Sequence, residues 1–172
     1  MKQNYVFKTM ESPVGRMTLV ASKKGLAAVL WENDDTNQLL PENIVRDDFD
    51  PILLKAESQL KEYFNRKRTI FALDLDFTGT EFQKKVWNAL LTIPYGETRS
   101  YGEIARQIGS PNSSRAVGAA SGKNPISIVA PCHRVIGSSG KLVGFGGGLE
   151  NKELLLDLER SASGKQMQIS LF

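Results

Sequence analysis

The chain has 172 residues with 22 Lys and Arg, 19 Asp and Glu, one His and one Cys, giving a formal net charge of +3. That length suits one domain or two small ones with a working core; a single cysteine excludes an internal disulfide, and one cysteine with one histidine falls short of a structural zinc site. No stretch reaches the ~20 apolar residues of a membrane span, and Met1-Lys2-Gln3-Asn4 lacks the apolar run of a secretory signal, so a reducing, cytoplasmic setting is expected.

Residues 5–9, 17–21 and 26–31 are short apolar runs, punctuated as hairpins by Ser12-Pro13-Val14-Gly15 and Ser22-Lys23-Lys24-Gly25. Asp50-Pro51 reads as an N-cap with proline at the first helical position, opening a one-faced helix through Leu53, Ala56, Leu60 and Phe64 to about Asn65. Residues 70–77 alternate with the period of a strand. This first part, residues 1–79, is expected to be a small antiparallel sheet with a helix, and it offers no chemistry of its own.

From residue 80 the pattern turns helical. Thr80-Glu81-Phe82-Gln83 fits a capping box ahead of a stripe of Phe82, Val86, Leu90 and Ile93 that Pro94 ends. Ser100-Tyr101-Gly102-Glu103 is a second such box, with Gly109 as the stop. A turn at Ser110-Pro111-Asn112 leads into residues 113–122, rich in Ala and Gly. Helix, short turn, helix is either a helix-turn-helix or an ordinary helical hairpin, and the small residues allow close approach to another backbone. Gly144-Phe145-Gly146-Gly147-Gly148 reads as a loop that approaches something closely, or as a linker. A last helix over 149–160, with Leu154, Leu155 and Leu158 apolar, is followed by a flexible tail over 161–172.

Charge is uneven. Residues 82–134 carry seven basic and two acidic side chains, a net of +5, whereas residues 1–81 carry 11 and 13, a net of −2. The basic segment runs up to Pro131-Cys132-His133-Arg134-Val135, which places the only cysteine beside the only histidine. A thiol is a useful nucleophile only as thiolate, and an imidazole is one of the few groups that generate it near neutral pH. A buried structural cysteine is the other reading.

The Pro131–Val135 pentapeptide resembles the active-site signature of the O6-alkylguanine-DNA alkyltransferases, the methylated-DNA–protein-cysteine methyltransferases. The resemblance spans about residues 80–160 and includes residues 100–105, Arg115-Ala116-Val117-Gly118, Gly122-Lys123-Asn124-Pro125, the glycine-rich loop, and Lys152 with Leu154, Leu155 and Glu159. Residues 1–79 resemble the family's N-terminal domain only in size and strand order. The family resemblance implies a ribonuclease-H-like α/β domain followed by a mostly helical, winged-helix-like domain. It implies irreversible transfer of an alkyl group from O6-alkylguanine, with O4-alkylthymine as a further candidate, to Cys132, once per molecule and without metal or cofactor.

Carried over residue by residue, the resemblance makes His133 the base acting through a water, Glu159 its orienting carboxylate, and Asn124 the tie between the helix-turn-helix and the active-site turn. Tyr101 would donate to the departing guanine. Arg115 would fill the gap left by a flipped nucleotide, with Ser114, Ala116 and Lys123 against the minor groove of duplex DNA. Pro131, Val135, Phe145, Gly146 and Ser121 would shape the base pocket. Phe145 stands where many members carry tyrosine, Gly146 where some carry serine, and Ser121 where a larger apolar residue is common. The tail, Gln168-Ile169-Ser170-Leu171-Phe172, resembles the peptide by which bacterial repair proteins dock on the sliding clamp, with Gln168, Leu171 and Phe172 as anchors. A monomer is expected. A DNA reader without chemistry and a Cys-His hydrolase are the competing functions.

Overall fold

The computed structural model describes residues 4–140, 142 and 145–163; the tail motif 168–172 lies outside them. The chain divides into two compact units, Met1–Thr78 and Gly79–Phe172.

In the first unit β1 (Val6–Met10), β2 (Met17–Ser22) and β3 (Gly25–Leu30) form an antiparallel meander. The two-residue β4 (Val45–Arg46) adds in parallel beside β1, making the sheet mixed in the order β3-β2-β1-β4. The short α1 (Thr36–Leu39) precedes β4, and α2 (Pro51–Phe64) packs on the sheet. Asp50 caps α2 by accepting the Leu53 N–H at 3.0 Å, with Pro51 where a missing N–H costs nothing. Its inward face is Leu53, Ala56, Gln59, Leu60 and Tyr63; Phe64, expected there, is half-buried.

The alternating segment 70–77 does not become a strand. It makes a single bridge, Leu75 to Leu26, with the Leu26 N–H donating to Asp74 O and the Asp76 N–H to Leu26 O, both at 2.8 Å. The side chain of Gln59 stands in for a neighbouring strand by accepting the Ala72 N–H at 2.8 Å and donating to Ala72 O at 3.2 Å. A Cβ on Gly25 would fall 2.3 Å from Asp74 O, so this crossing requires glycine. Among the described residues no three His, Cys, Asp or Glu side chains cluster to hold a metal ion, and no helix is long and apolar enough to cross a membrane.

The second unit stacks α3 (Glu81–Leu90), α4 (Tyr101–Gln107) and α5 (Ser114–Gly122) around Val86, Leu90, Ile104 and Val117. The Thr80–Gln83 capping box forms in both directions, and Ser100 accepts the Glu103 N–H at 3.1 Å. The small residues of α5 let it lie close against α3, where Trp87 Nε1 donates to Ala120 O at 2.8 Å. A 3-10 turn (Cys132–Arg134) follows, then β6 (Val135–Ile136), which pairs in parallel with β5 (Arg99–Ser100). The last helix, α6 (Leu149–Ser163), runs three residues into the segment expected to be linker; no glycine or proline occurs before Gly164 to stop it. Its buried face is Lys152, Leu155, Leu156, Leu158 and Glu159, while Leu154 is only half-buried.

Candidate active site

The segment from Asn124 to Ile136 is buried almost throughout, which is rare for a connection because its backbone groups must find partners inside. Asn124 supplies two of them. Its Nδ2 donates to Ala130 O at 2.7 Å and its Oδ1 accepts the Ile126 N–H at 3.0 Å, clamping both ends of the turn. Between them Ile128, fully buried and β-branched, has φ +73°, and the Val129 N–H reaches across it to Ser127 O at 2.9 Å. This γ-turn costs on the order of 1–3 kcal/mol, so the surrounding bonds must hold it in place. The Cys132 N–H then donates to Ala130 O at 2.8 Å, fixing the start of the 3-10 turn.

His133 and Arg134 converge on Glu159, which α6 projects inward. His133 Nε2 lies 2.6 Å from Glu159 Oε2, Arg134 Nε donates to Oε1 at 2.7 Å and Arg134 Nη2 to Oε2 at 3.1 Å. The Gly96 N–H adds a fourth bond to Oε1 at 3.2 Å, and Arg134 Nη1 donates to Ile93 O at 2.7 Å. The guanidinium also lies 5.7 Å from the centre of the Tyr95 ring. Burial alone would raise the Glu159 carboxyl, but the His133 ring and the Arg134 fork overcome it and hold the group well below the usual carboxylate range.

An ionised carboxylate accepts only, so His133 Nε2 must be the donor. Burial pushes the His133 ring down against the opposing pull of Glu159, leaving a neutral imidazole with its lone pair on Nδ1. Nδ1 has no hydrogen-bond partner among the described protein atoms. Burial pushes the Cys132 thiol up, while Asn124, the Lys152 charge and Ser127 work in the other direction. The resting group is therefore a thiol at neutral pH, beside a neutral base. Adjacency in sequence does not by itself make the thiolate.

Lys152 is buried; its Nζ donates to Val135 O at 2.6 Å and lies 5.9 Å from the centre of the Phe145 ring. Burial lowers it from 10.5 to about 8, with the Cys132 charge opposing. Lys152→Met is expected to slow iodoacetamide labelling of Cys132 at neutral pH by roughly tenfold to hundredfold, since one nearby charge shifts a thiol by about 1–2 units. The native rate should climb with pH and bend below unit slope above about pH 8 as the ammonium is lost. The variant should keep unit slope; a bend in both profiles would assign the alkaline change elsewhere.

An open cleft of about 850 Å³ is lined by Tyr101, Arg106, Ser114, Arg115, Gly118 and Phe145 among others. Cys132 does not line it, and the cleft meets the centre through Tyr101, which feels the Cys132 charge, and Phe145, whose ring lies 5.9 Å from Lys152 Nζ. Burial, with the Cys132 charge adding to it, raises the Tyr101 hydroxyl, so it stays protonated as a donor. Of the expected pocket residues, Pro131, Val135 and Ser121 are buried and do not line this cleft; Ser121 faces inward from α5, and Gly146 is exposed. Ala116 and Lys123 are exposed, Lys123 as the C-cap of α5. The sequence by itself assigns no role to Arg134, Lys152 or the Gly96 amide. The signal for Lys152 was its spacing, since residues 152, 155, 156 and 159 share one helix face.

Two family models cover most of the chain: "6-O-methylguanine DNA methyltransferase, ribonuclease-like domain" over residues 5–77, and "6-O-methylguanine DNA methyltransferase, DNA binding domain" over residues 81–161. The methylated-DNA–protein-cysteine methyltransferase of Mycobacterium leprae is 51% identical over 158 residues, covering 89% of this chain and 91% of its own. That of Methanosarcina acetivorans is 47% identical over 155 residues, covering 90% and 98%. The crystal structure of Mycobacterium tuberculosis OGT in complex with DNA matches with a TM-score of 0.83 at 48% identity, covering 92% of this chain and 94% of that one. With both domains matched in order and half of the residues shared with full-length relatives, the chain belongs to the 6-O-methylguanine DNA methyltransferase family.

Proposed function

We propose that this protein repairs DNA by moving an alkyl group from guanine O6 in duplex DNA onto Cys132 Sγ, once per molecule. The observation that carries this reading is the chain's single thiol on a clamped turn, followed directly by a neutral imidazole that an ionised, four-bonded carboxylate orients. In the reaction the thiol proton passes through a bridging water to His133 Nδ1, and Glu159 stabilises the imidazolium that results. Sulfur attacks the alkyl carbon in line, forming the S–C bond as the O6–C bond breaks. The electron pair goes to the guanine ring, where the Tyr101 hydroxyl returns a proton. A thiolate is a poor leaving group from a saturated carbon, so water does not return the thioether to thiol and the count stops at one.

The cleft is the proposed seat of the extruded base, and α5 the helix that enters the minor groove. Ala116 and its small neighbours allow close approach, and Arg115 occupies the gap in the stack. The complex of the M. tuberculosis relative with DNA supports a DNA partner. O4-alkylthymine is a second candidate substrate, and a monomer in the cytoplasm suffices for this chemistry. The tail 168–172 is proposed to dock on the sliding clamp; deleting it should abolish capture by immobilised clamp, and unchanged capture would remove the idea.

The test is incubation with duplex carrying isotope-labelled O6-methylguanine, followed by peptide mass spectrometry. One methyl on Cys132, ending at one equivalent, is expected. Continued turnover would indicate a hydrolase, and binding without label a reader. Arg115→Ala should slow repair of duplex at least tenfold while slowing reaction with free O6-benzylguanine much less, because extrusion costs a few kcal/mol only when a stack must be opened. Equal losses on both substrates would overturn its role in the gap.

A further inference from the structure

One cation in the cleft has no role in the chemistry above. Arg106 stands on the last turn of α4, and its side chain turns back along the helix over Gly102. A Cβ built on Gly102 would lie 3.5 Å from Arg106 Nη1 and 3.7 Å from Ser114 Oγ, a hydroxyl on the neighbouring helix α5. The guanidinium and the hydroxyl, on neighbouring helices, thus flank the same residue. Among the described residues Arg106 makes no ion pair, and neither its guanidinium nor Ser114 Oγ has a hydrogen-bond partner. Glu103 also lines the cleft, one turn before Arg106, and is not paired with it. With a carboxylate so close, diffuse positive potential is weak here, and a polyanion must be held by directed contacts.

We propose that Arg106 and Ser114 together hold one backbone phosphate of the bound duplex. The inference rests on the reading of the cleft as the DNA surface. A guanidinium offers two parallel N–H donors and the hydroxyl a third, which suits the two free oxygens of a phosphodiester. Such a contact carries no sequence information; it fixes the register of the duplex so that the damaged nucleotide meets Cys132.

Duplexes with single neutral methylphosphonates, scanned through the positions flanking O6-methylguanine, test this by fluorescence anisotropy over a range of salt. For the native protein one substituted position should weaken binding about tenfold. Arg106→Ala should bind the unmodified duplex about tenfold more weakly, with a slope of log affinity against log salt smaller by about 1, and should be indifferent to that same position. Arg106→Lys should recover most of the slope, and circular dichroism of each variant should match the native protein. If Arg106→Ala keeps the native slope, or stays sensitive to every position, the phosphate site is wrong. Native protein that neither binds duplex nor takes up methyl would instead sink the reading of the cleft, and the phosphate site with it.

Discussion

Cys132→Ser should fold, hold alkylated duplex with close to native affinity, and transfer nothing measurable, a loss greater than about 10⁴-fold. Serine is nearly isosteric and keeps the Ala130 bond to the backbone N–H, so the clamped turn has no reason to open. What changes is the nucleophile. Attack on a saturated carbon favours a soft, polarizable anion, and a buried hydroxyl is far harder to ionise than a thiol that burial has already pushed up. A neutral imidazole able to take a proton from sulfur is too weak a base for a hydroxyl. The check is single-turnover transfer of labelled methyl from duplex, run beside gel-shift affinity. Transfer by the serine variant within tenfold of native would place the acceptor elsewhere and sink the mechanism.

Glu159→Gln should be the most damaging change outside the thiol, and it should damage stability and rate together. The side chains of Glu159 and Arg134 are 1% and 7% exposed, so neutralising the carboxylate leaves a guanidinium buried without its counter-charge. Breaking such a pair from one side typically costs about 3–5 kcal/mol. The amide also frees His133 to bind in either tautomer, and the reaction loses the charge that steadies the imidazolium; the transfer rate should fall on the order of 10²–10⁴-fold. The carboxyl is held below its ordinary range, so the folded state binds its proton less readily than the unfolded chain does. Its stabilising contribution is therefore complete above the ordinary carboxylate pKa and is lost as the pH falls below it. Urea unfolding between pH 3 and 7 should show a steep acid loss in the native protein and a shallower one in the variant. A variant within 1 kcal/mol of native at neutral pH would mean that Arg134 finds other compensation.

The parts of this fold that were legible in sequence are those specified locally. The hairpin turns, Asp50-Pro51 and the Thr80–Gln83 box are each set by a few adjacent residues, and each forms as expected. Segment 70–77 alternates like a strand, but its partner in space is the side chain of Gln59, which no periodicity reveals. At α6 the apolar pattern pointed to Leu154, whereas the inward face includes two charged residues whose partners lie on other segments. The Cys-His pair was visible because each residue occurs once. Glu159 came only from family resemblance, and Arg134 and Lys152 owe their meaning to long-range contacts. Charges that fold inward look, in one dimension, like charges that face water.

The carboxylate at position 159, carried by α6, takes bonds from two earlier stretches of chain, at residue 96 and at 133–134. During synthesis that helix leaves the ribosome after everything else it touches. Until it docks, the imidazole has nothing to fix its proton, and the sulfur beside it is an ordinary, sluggish thiol. On the proposed mechanism, directed transfer from a bound base therefore begins only once that helix has docked, an order of events that the position of one acidic side chain imposes.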